Sequence, residues 1–220
     1  MGAKFVAKDE RDWRPAPVPK TSSLTTLKSA AKSCTACHLY KHATQTVFGE
    51  GAKGAKLMLL GEQPGDQEDI AGKPFVGPAG KILDRALEEV GINRREVYVT
   101  NTVKHFKWEP RGKRRIHKKP SAREVAACRP WLDTEIALVK PRAIVCLGAT
   151  AAQALLGRAF RVTAHRGEFI PSPLAPLVLA TVHPSSILRA PDDQARRREM
   201  TLFTDDLRAV ARALSSRSPE

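Results

Sequence analysis

Short, largely apolar runs alternate along this chain with longer stretches of helical period. Lys56–Leu60, Val97–Thr100, Ala143–Leu147 and Leu177–Thr181 are each only four or five residues long and close on glycine or polar residues. Runs of that length with no polar alternation read as strands buried on both faces. Between them, Ala79, Ile82, Leu83, Ala86, Leu87 and Val90 recur at helical spacing, with Gly91 as the stop. Thr25–Ser33 reads as a short helix that delivers Cys34 and Cys37. Ser121 and Glu124 form a capping-box start for a helix carrying Cys128. Pro130 is expected to break that helix and begin another through Trp131, Leu132 and Ile136. Gly148 leads into a further short helix, and a last one places Met200, Phe203, Leu207 and Val210 on one face. Residues 1–20, with Pro15, Pro17 and Pro19, read as a poorly ordered extension, and 21–220 as one domain.

Strands alternating with helices predict an α/β sandwich around a mostly parallel sheet. In such sheets ligands sit beyond the carboxyl ends of the strands. The loops after Leu60, Thr100 and Thr181 hold Glu62, Asn101, His117 and His183. That coincidence directs attention to one end of the sheet.

Charge sharpens the picture. The net charge is +14, and residues 104–120 carry eight Lys/Arg against one Glu, half of the excess in a single segment. Localised positive charge points to a polyanion, of which nucleic acid is the commonest. The core of this segment, Arg111 to Pro120, reads as a basic loop bracketed by Gly112 and Pro120, with His117 inside it. No stretch approaches the roughly 20 apolar residues of a membrane span, and no signal-peptide layout opens the chain, so a cytoplasmic, monomeric protein is expected. Four cysteines, Cys34, Cys37, Cys128 and Cys146, then read as metal ligands or core thiols rather than disulfides. Four thiolates suit an iron–sulfur cluster or Zn²⁺ equally well.

The residues at the strand ends carry recognisable chemistry. Glu62, fixed between Gly61 and Pro64, suits a positioned base or electrostatic anchor. Phe75 lies in a loop, where it either stacks on a flat ligand or plugs the core. Gly77-Pro78-Ala79-Gly80 opens a helix whose free N–H groups suit a phosphate. Asn101 offers a donor and an acceptor together, as reading a pyrimidine edge requires, although asparagine at a strand end is commonly turn chemistry. His183, Ser185, Ser186 and Arg189 combine an imidazole, two hydroxyls and a cation, suited to a base contact beside a phosphate grip.

Taken together, Gly-Glu-Gln-Pro-Gly at 61–65, Gly-Lys-Pro-Phe-Val-Gly-Pro-Ala-Gly at 72–80, Thr-Asn-Thr-Val-Lys at 100–104 and His-Pro-Ser-Ser-Ile-Leu-Arg at 183–189 resemble the family 4 iron–sulfur uracil-DNA glycosylases, in family order. Gln63 and the basic loop depart from that family and resemble its X-type relatives (UdgX), whose Lys-Arg-Arg-Ile-His motif is present at 113–117. The resemblance implies a three-layer α/β sandwich with a four-stranded parallel sheet and a 4Fe–4S cluster held by Cys34, Cys37, Cys128 and Cys146. It implies uracil-containing DNA, single strands included, as partner, with Gln63, Asp66, Phe75 and Asn101 about the base. Glu62, His117 and His183 become catalytic candidates, His117 as a nucleophile that stays bonded to the sugar. Lys113, Arg114, Arg115, Lys118 and Lys119, with Ser185, Ser186 and Arg189, are expected on the DNA backbone. Two other readings remain: an ordinary glycosylase that turns over many times, and a DNA-binding protein without catalysis.

Overall fold

The computed structural model describes residues 13–216. Strands β1 (Leu57–Gly61), β2 (Val97–Asn101), β5 (Ala143–Leu147) and β6 (Leu177–Thr181) form one sheet in the order β2-β1-β5-β6, every pair parallel. Every residue of these strands is buried, which explains runs without polar alternation.

Alternate residues serve opposite faces. Leu57, Leu59, Val97, Val99, Val145 and Leu179 pack with Leu83, Ala86 and Leu87 of α3 (Pro78–Glu89) and Phe203, Leu207 and Val210 of α8 (Asp193–Ser216). Met58, Leu60, Tyr98, Ile144, Cys146 and Val178 turn the other way. They meet Leu132, Ile136 and Val139 of α4 (Ala122–Val139), Ala151 and Ala152 of α5 (Ala149–Leu156), and Val162 of α6 (Val162–His165). The result is the expected α/β sandwich on a four-stranded parallel sheet, with its core divided by the sheet. A third apolar cluster joins α1 (Leu24–Ala31) to the N-terminal half of α4 through Leu27, Ala31, Phe48, Ala127 and Trp131.

Two local expectations change. Pro130 does not end a helix; α4 runs unbroken through it. The proline forgoes one backbone donor, but its neighbours Trp131 and Leu132 are fully packed, and Thr134 Oγ1 donates to the Pro130 carbonyl at 2.8 Å. Tertiary anchoring outweighs the local break. The basic stretch is not an irregular loop either. It is an antiparallel hairpin of β3 (Trp108–Arg111) and β4 (Arg114–His117), turning at Gly112, whose φ of +60° suits a residue without a Cβ. Within the described part of the N-terminal stretch, Trp13, Ala16 and Val18 touch the third cluster while Arg14, Pro15, Pro17 and Lys20 are exposed. Trp13 lies over the His38 ring at 4.7 Å, and buried Ala16 donates its N–H to the Ala127 carbonyl at 2.9 Å. Residues 1–12 lie outside the described residues.

Candidate active site

Parallel register sets Gly61 beside Asn101 and places the carboxyl ends of β1, β2, β5 and β6 at one end of the sheet. A cavity of about 730 Å³ opens there, and Glu62, Phe75, Asn101, His117, Thr150 and His183 all line it. Gly61 has no side chain for a steric reason: a Cβ would lie 2.2 Å from Asn101 Oδ1 and 2.7 Å from Phe75 Cζ. The glycine lets the amide and the ring meet over the strand end. Phe75 holds a left-handed backbone (φ 56°) and is buried, 5.9 Å from the His183 ring between centroids. Strain of this kind persists only where packing enforces it. Here Gly80 supplies the room, since a Cβ on it would collide with the Phe75 carbonyl.

Asn101 is 3% exposed, and its Oδ1 has no hydrogen-bond partner. A buried acceptor without a partner is costly, so this oxygen on the cavity wall marks a place for a ligand donor. Its backbone carbonyl accepts from Lys104 Nζ at 2.7 Å. That ammonium also donates to Thr100 Oγ1 and pairs with the fully buried Glu135, which further accepts from Tyr98 Oη and Gly49 N. The network ties the end of β2 to α4.

His183 caps α7 (Pro184–Leu188). The Ser185 N–H donates to His183 Nδ1 at 3.2 Å, so a neutral ring carries its proton on Nε2 and offers a donor. Burial, aided by His117 and Arg189, pushes this imidazole down to about 4. Ser186 Oγ donates to the His183 carbonyl at 2.8 Å. Both serines, expected on DNA, thus brace His183.

His117 Nε2 lies 3.3 Å from Glu62 Oε1. Burial pushes the His117 imidazole below its ordinary value, Glu62 pulls it back, and Arg189 adds to the lowering. Among the charges, Arg189 is the one that lowers it, and no cation of the hairpin contributes. The other Glu62 oxygen accepts the Thr150 hydroxyl. Thr150 was missed, since the Gly-Ala-Thr-Ala run after β5 reads only as a helix start.

Two residues have different partners from those expected. Gln63 lines the cavity, but its amide is engaged with backbone: Nε2 donates to the carbonyls of Lys107 (3.1 Å) and Lys118 (3.0 Å), and Oε1 accepts from Lys107 N (3.2 Å). It fastens the two roots of the hairpin. Arg115 points to protein carboxylates rather than outward, pairing with Asp66 and with fully buried Asp69 of α2 (Asp66–Ala71), both at 2.5 Å. Its guanidinium also sits over the rings of Phe106 and Trp108. Asp66, expected beside the base, is therefore engaged by Arg115, although it reaches the cavity wall. Lys118 pairs with Glu109 across the hairpin at 2.9 Å, Lys119 lines the cavity, and Lys113 and Arg114 are exposed at the tip. Arg189 lines the cavity as well.

The cysteines divide three to one. Cys34, Cys37 and Cys128 share the cluster between α1 and α4; Cys37 feels the charge of Cys34, and Cys128 feels those of Cys37 and Cys34. Trp131 Nε1 donates to Cys34 Sγ at 3.2 Å and Lys104 N to Cys128 Sγ at 3.3 Å, the contacts that steady thiolates or cluster sulfurs. Cys146 sits inside β5 with its thiol in the core on the α4–α5 face, raised to about 12 by burial alone. The expected four-cysteine set therefore does not fit, because β5 directs Cys146 into packing rather than toward the other three. Among the described residues no three His, Cys, Asp or Glu groups are close enough to hold a metal ion. No helix among them is long and apolar enough to cross a membrane.

A parallel α/β sheet with an imidazole pair, a carboxylate and an unpaired amide oxygen around one cavity at its carboxyl end defines a ligand-binding enzyme of the open-sheet class. The lineage is specific: residues 48–208 match the family model of the Uracil DNA glycosylase superfamily, and the chain belongs to that superfamily. It is 40% identical over 76% of its length to a Type-4 uracil-DNA glycosylase of Thermotoga maritima, covering 83% of that protein. It is 37% identical over 76% of its length to the Type-4 uracil-DNA glycosylase of Pyrobaculum aerophilum, covering 86% of it. A Type-5 uracil-DNA glycosylase of Thermus thermophilus is 31% identical over 63% of this chain and 68% of its own.

Proposed function

We propose that this protein excises uracil from DNA and that His117 then remains bonded to the abasic sugar. The uracil is extruded into the cavity, since its glycosidic bond is unreachable in an intact stack. Phe75 stacks on the base. The unpaired Asn101 Oδ1 accepts the N3–H of uracil, a position where cytosine offers another acceptor, so cytosine is repelled. His183 Nε2–H donates to a uracil oxygen as negative charge gathers on the leaving base.

The bond from C1′ to uracil N1 breaks with its electron pair leaving on uracil, and Glu62 faces the sugar cation that results. A ring nitrogen of His117 supplies a lone pair to C1′. Neutral His117 has one N–H; donated to its own backbone carbonyl, which also acts on the ring, it leaves Nε2 as the nucleophile. In the net reaction that ring proton ends on uracil. The observation that carries this reading is His117 Nε2 at 3.3 Å from Glu62 Oε1, on a hairpin fastened over the cavity. Lys113, Arg114, Lys119 and Arg189 are assigned to phosphates.

Cys34, Cys37 and Cys128, gathered in one corner but not at metal-holding distances from one another, are proposed to close on an iron–sulfur cluster as it binds. Bound there it would cross-link the α1 segment to α4, and no catalytic step passes through it.

Incubation with a single-stranded uracil oligonucleotide, followed by a denaturing gel, tests the reading. A heat- and detergent-stable adduct is expected, absent for His117→Ala. A free abasic strand with no adduct supports the multiple-turnover alternative, and an intact uracil strand supports binding without catalysis.

A further inference from the structure

Thr150 lies in the first turn of α5, directly beyond β5, whose neighbour in the sheet is β1. It is 7% exposed, and its hydroxyl reaches across to Glu62 Oε2 instead of serving its own helix. The turn that delivers it is fixed by the backbone. Gly148 adopts φ +92°, its N–H donates to the Thr181 carbonyl at 2.9 Å, and its carbonyl accepts from Ala152 N at 3.1 Å. A Cβ on Gly148 would lie 2.9 Å from His183 Cβ, so the glycine lets the start of α5 close against the histidine and into the site.

We infer that Thr150 is a positioning residue: its hydroxyl fixes the Glu62 carboxylate in one orientation, with Oε2 engaged and Oε1 turned toward His117 and the sugar. The inference rests on the proposed reaction at Glu62. A carboxylate anchored on one side cannot rotate freely: Oε2 holds the Thr150 hydroxyl, and Oε1 is left facing His117 Nε2 at 3.3 Å. A water molecule seeking Glu62 as its base must either displace the threonine or enter the face that His117 already occupies. Capture of the sugar by water would form a C1′–O bond and pass a proton to the carboxylate; capture by His117 forms a C1′–N bond. Anchoring by Thr150 thus supports both stabilisation of the cation and the preference for histidine over water.

The test uses the full chain with saturating uracil oligonucleotide under single-turnover conditions. It measures uracil released and, on a denaturing gel, adduct against free abasic strand. Thr150→Val keeps the shape and removes the hydroxyl; Thr150→Ser keeps the hydroxyl. A hydrogen bond to a charged group is worth about 10- to 100-fold in rate. Thr150→Val is expected to slow uracil release by about that factor, or to divert product from adduct to free abasic strand, and Thr150→Ser to restore whichever changes. Release and partition both unchanged in Thr150→Val overturn the inference, as does a defect that serine does not restore. Should Thr150→Val fail to fold, Thr150→Ala takes its place in the same comparison. If the unaltered protein forms no adduct, the capture reading fails, and Thr150 is judged on uracil release alone.

Discussion

Burial lowers the His117 imidazole more than Glu62 raises it, and Arg189 adds to the lowering, so the neutral ring is favoured. The nucleophile is the neutral form, so the pH dependence has a definite sign. Above the ordinary histidine value of about 6.5 the rate of adduct formation is flat; it falls as acid charges the ring, with a midpoint below 6.5. Arg189→Ala removes one of the two causes of lowering and moves that midpoint upward, whatever it does to DNA affinity. Single-turnover adduct rates across pH, at saturating DNA, check this; an unmoved midpoint would mean that Arg189 does not act on the ring. At this scale the sequence was informative about residue types and poor about partners. Glu62, Asn101 and His183 were visible because they follow buried strands, and the cavity does gather them. The amide of Gln63 and the guanidinium of Arg115 were expected on the base and the phosphates, because nothing in a linear motif indicates that the acceptor is a carbonyl 44 or 55 residues away or a carboxylate on α2.

The hairpin behaves as a fastened lever rather than a loose patch. Gln63 holds its roots, Arg115 bolts β4 to α2, Lys107 pairs with Glu124, and Trp108 Nε1 donates to the His42 carbonyl. Composition suggested a solvated loop since six of the ten residues from Arg111 to Pro120 are cationic; the pairing Trp108↔His117 was hidden in a segment with no apolar alternation. Pro130 was misjudged for the complementary reason, as a local rule overridden by packing. The cations of one motif therefore divide by task. Arg115 is already neutralised by Asp66 and Asp69, while Lys113 and Arg114 are exposed. Lys113→Ala or Arg114→Ala should each lower the slope of log affinity against log salt by about 1. Arg115→Ala should leave that slope unchanged and instead cost about 3 kcal/mol of stability, because buried Asp69 loses its cation and is left with the Thr44 N–H. Salt titrations of oligonucleotide binding, beside denaturant melts, separate the two; a reduced slope for Arg115→Ala would place that guanidinium on DNA.

Across the whole molecule, the sheet joins two territories with different legibility. Strand runs and the helical stripes of α3 and α8 made the sandwich readable, because burial on both faces leaves a plain apolar signature. The cysteine corner was not readable, because sequence spacing cannot say which face of a strand a thiol occupies. Cys146 belongs to the same set of alternate residues as Ile144, facing α4 and α5, whereas Cys34, Cys37 and Cys128 gather where α1 meets the start of α4. Burial holds the Cys37 and Cys128 thiols near 11 and 12, so metal must displace their protons, and its binding releases them. The division makes an asymmetric prediction for iron and acid-labile sulfide in the purified protein. Cys146→Ala should keep the full complement and the brown colour, losing only the packing of one small side chain. Cys128→Ala should lose the cluster and, with it, the link from the Lys104 backbone to α4, so that both iron content and thermal stability fall. Iron lost from a folded Cys146→Ala protein would require β5 to present its thiol to the other three, against the core packing found here.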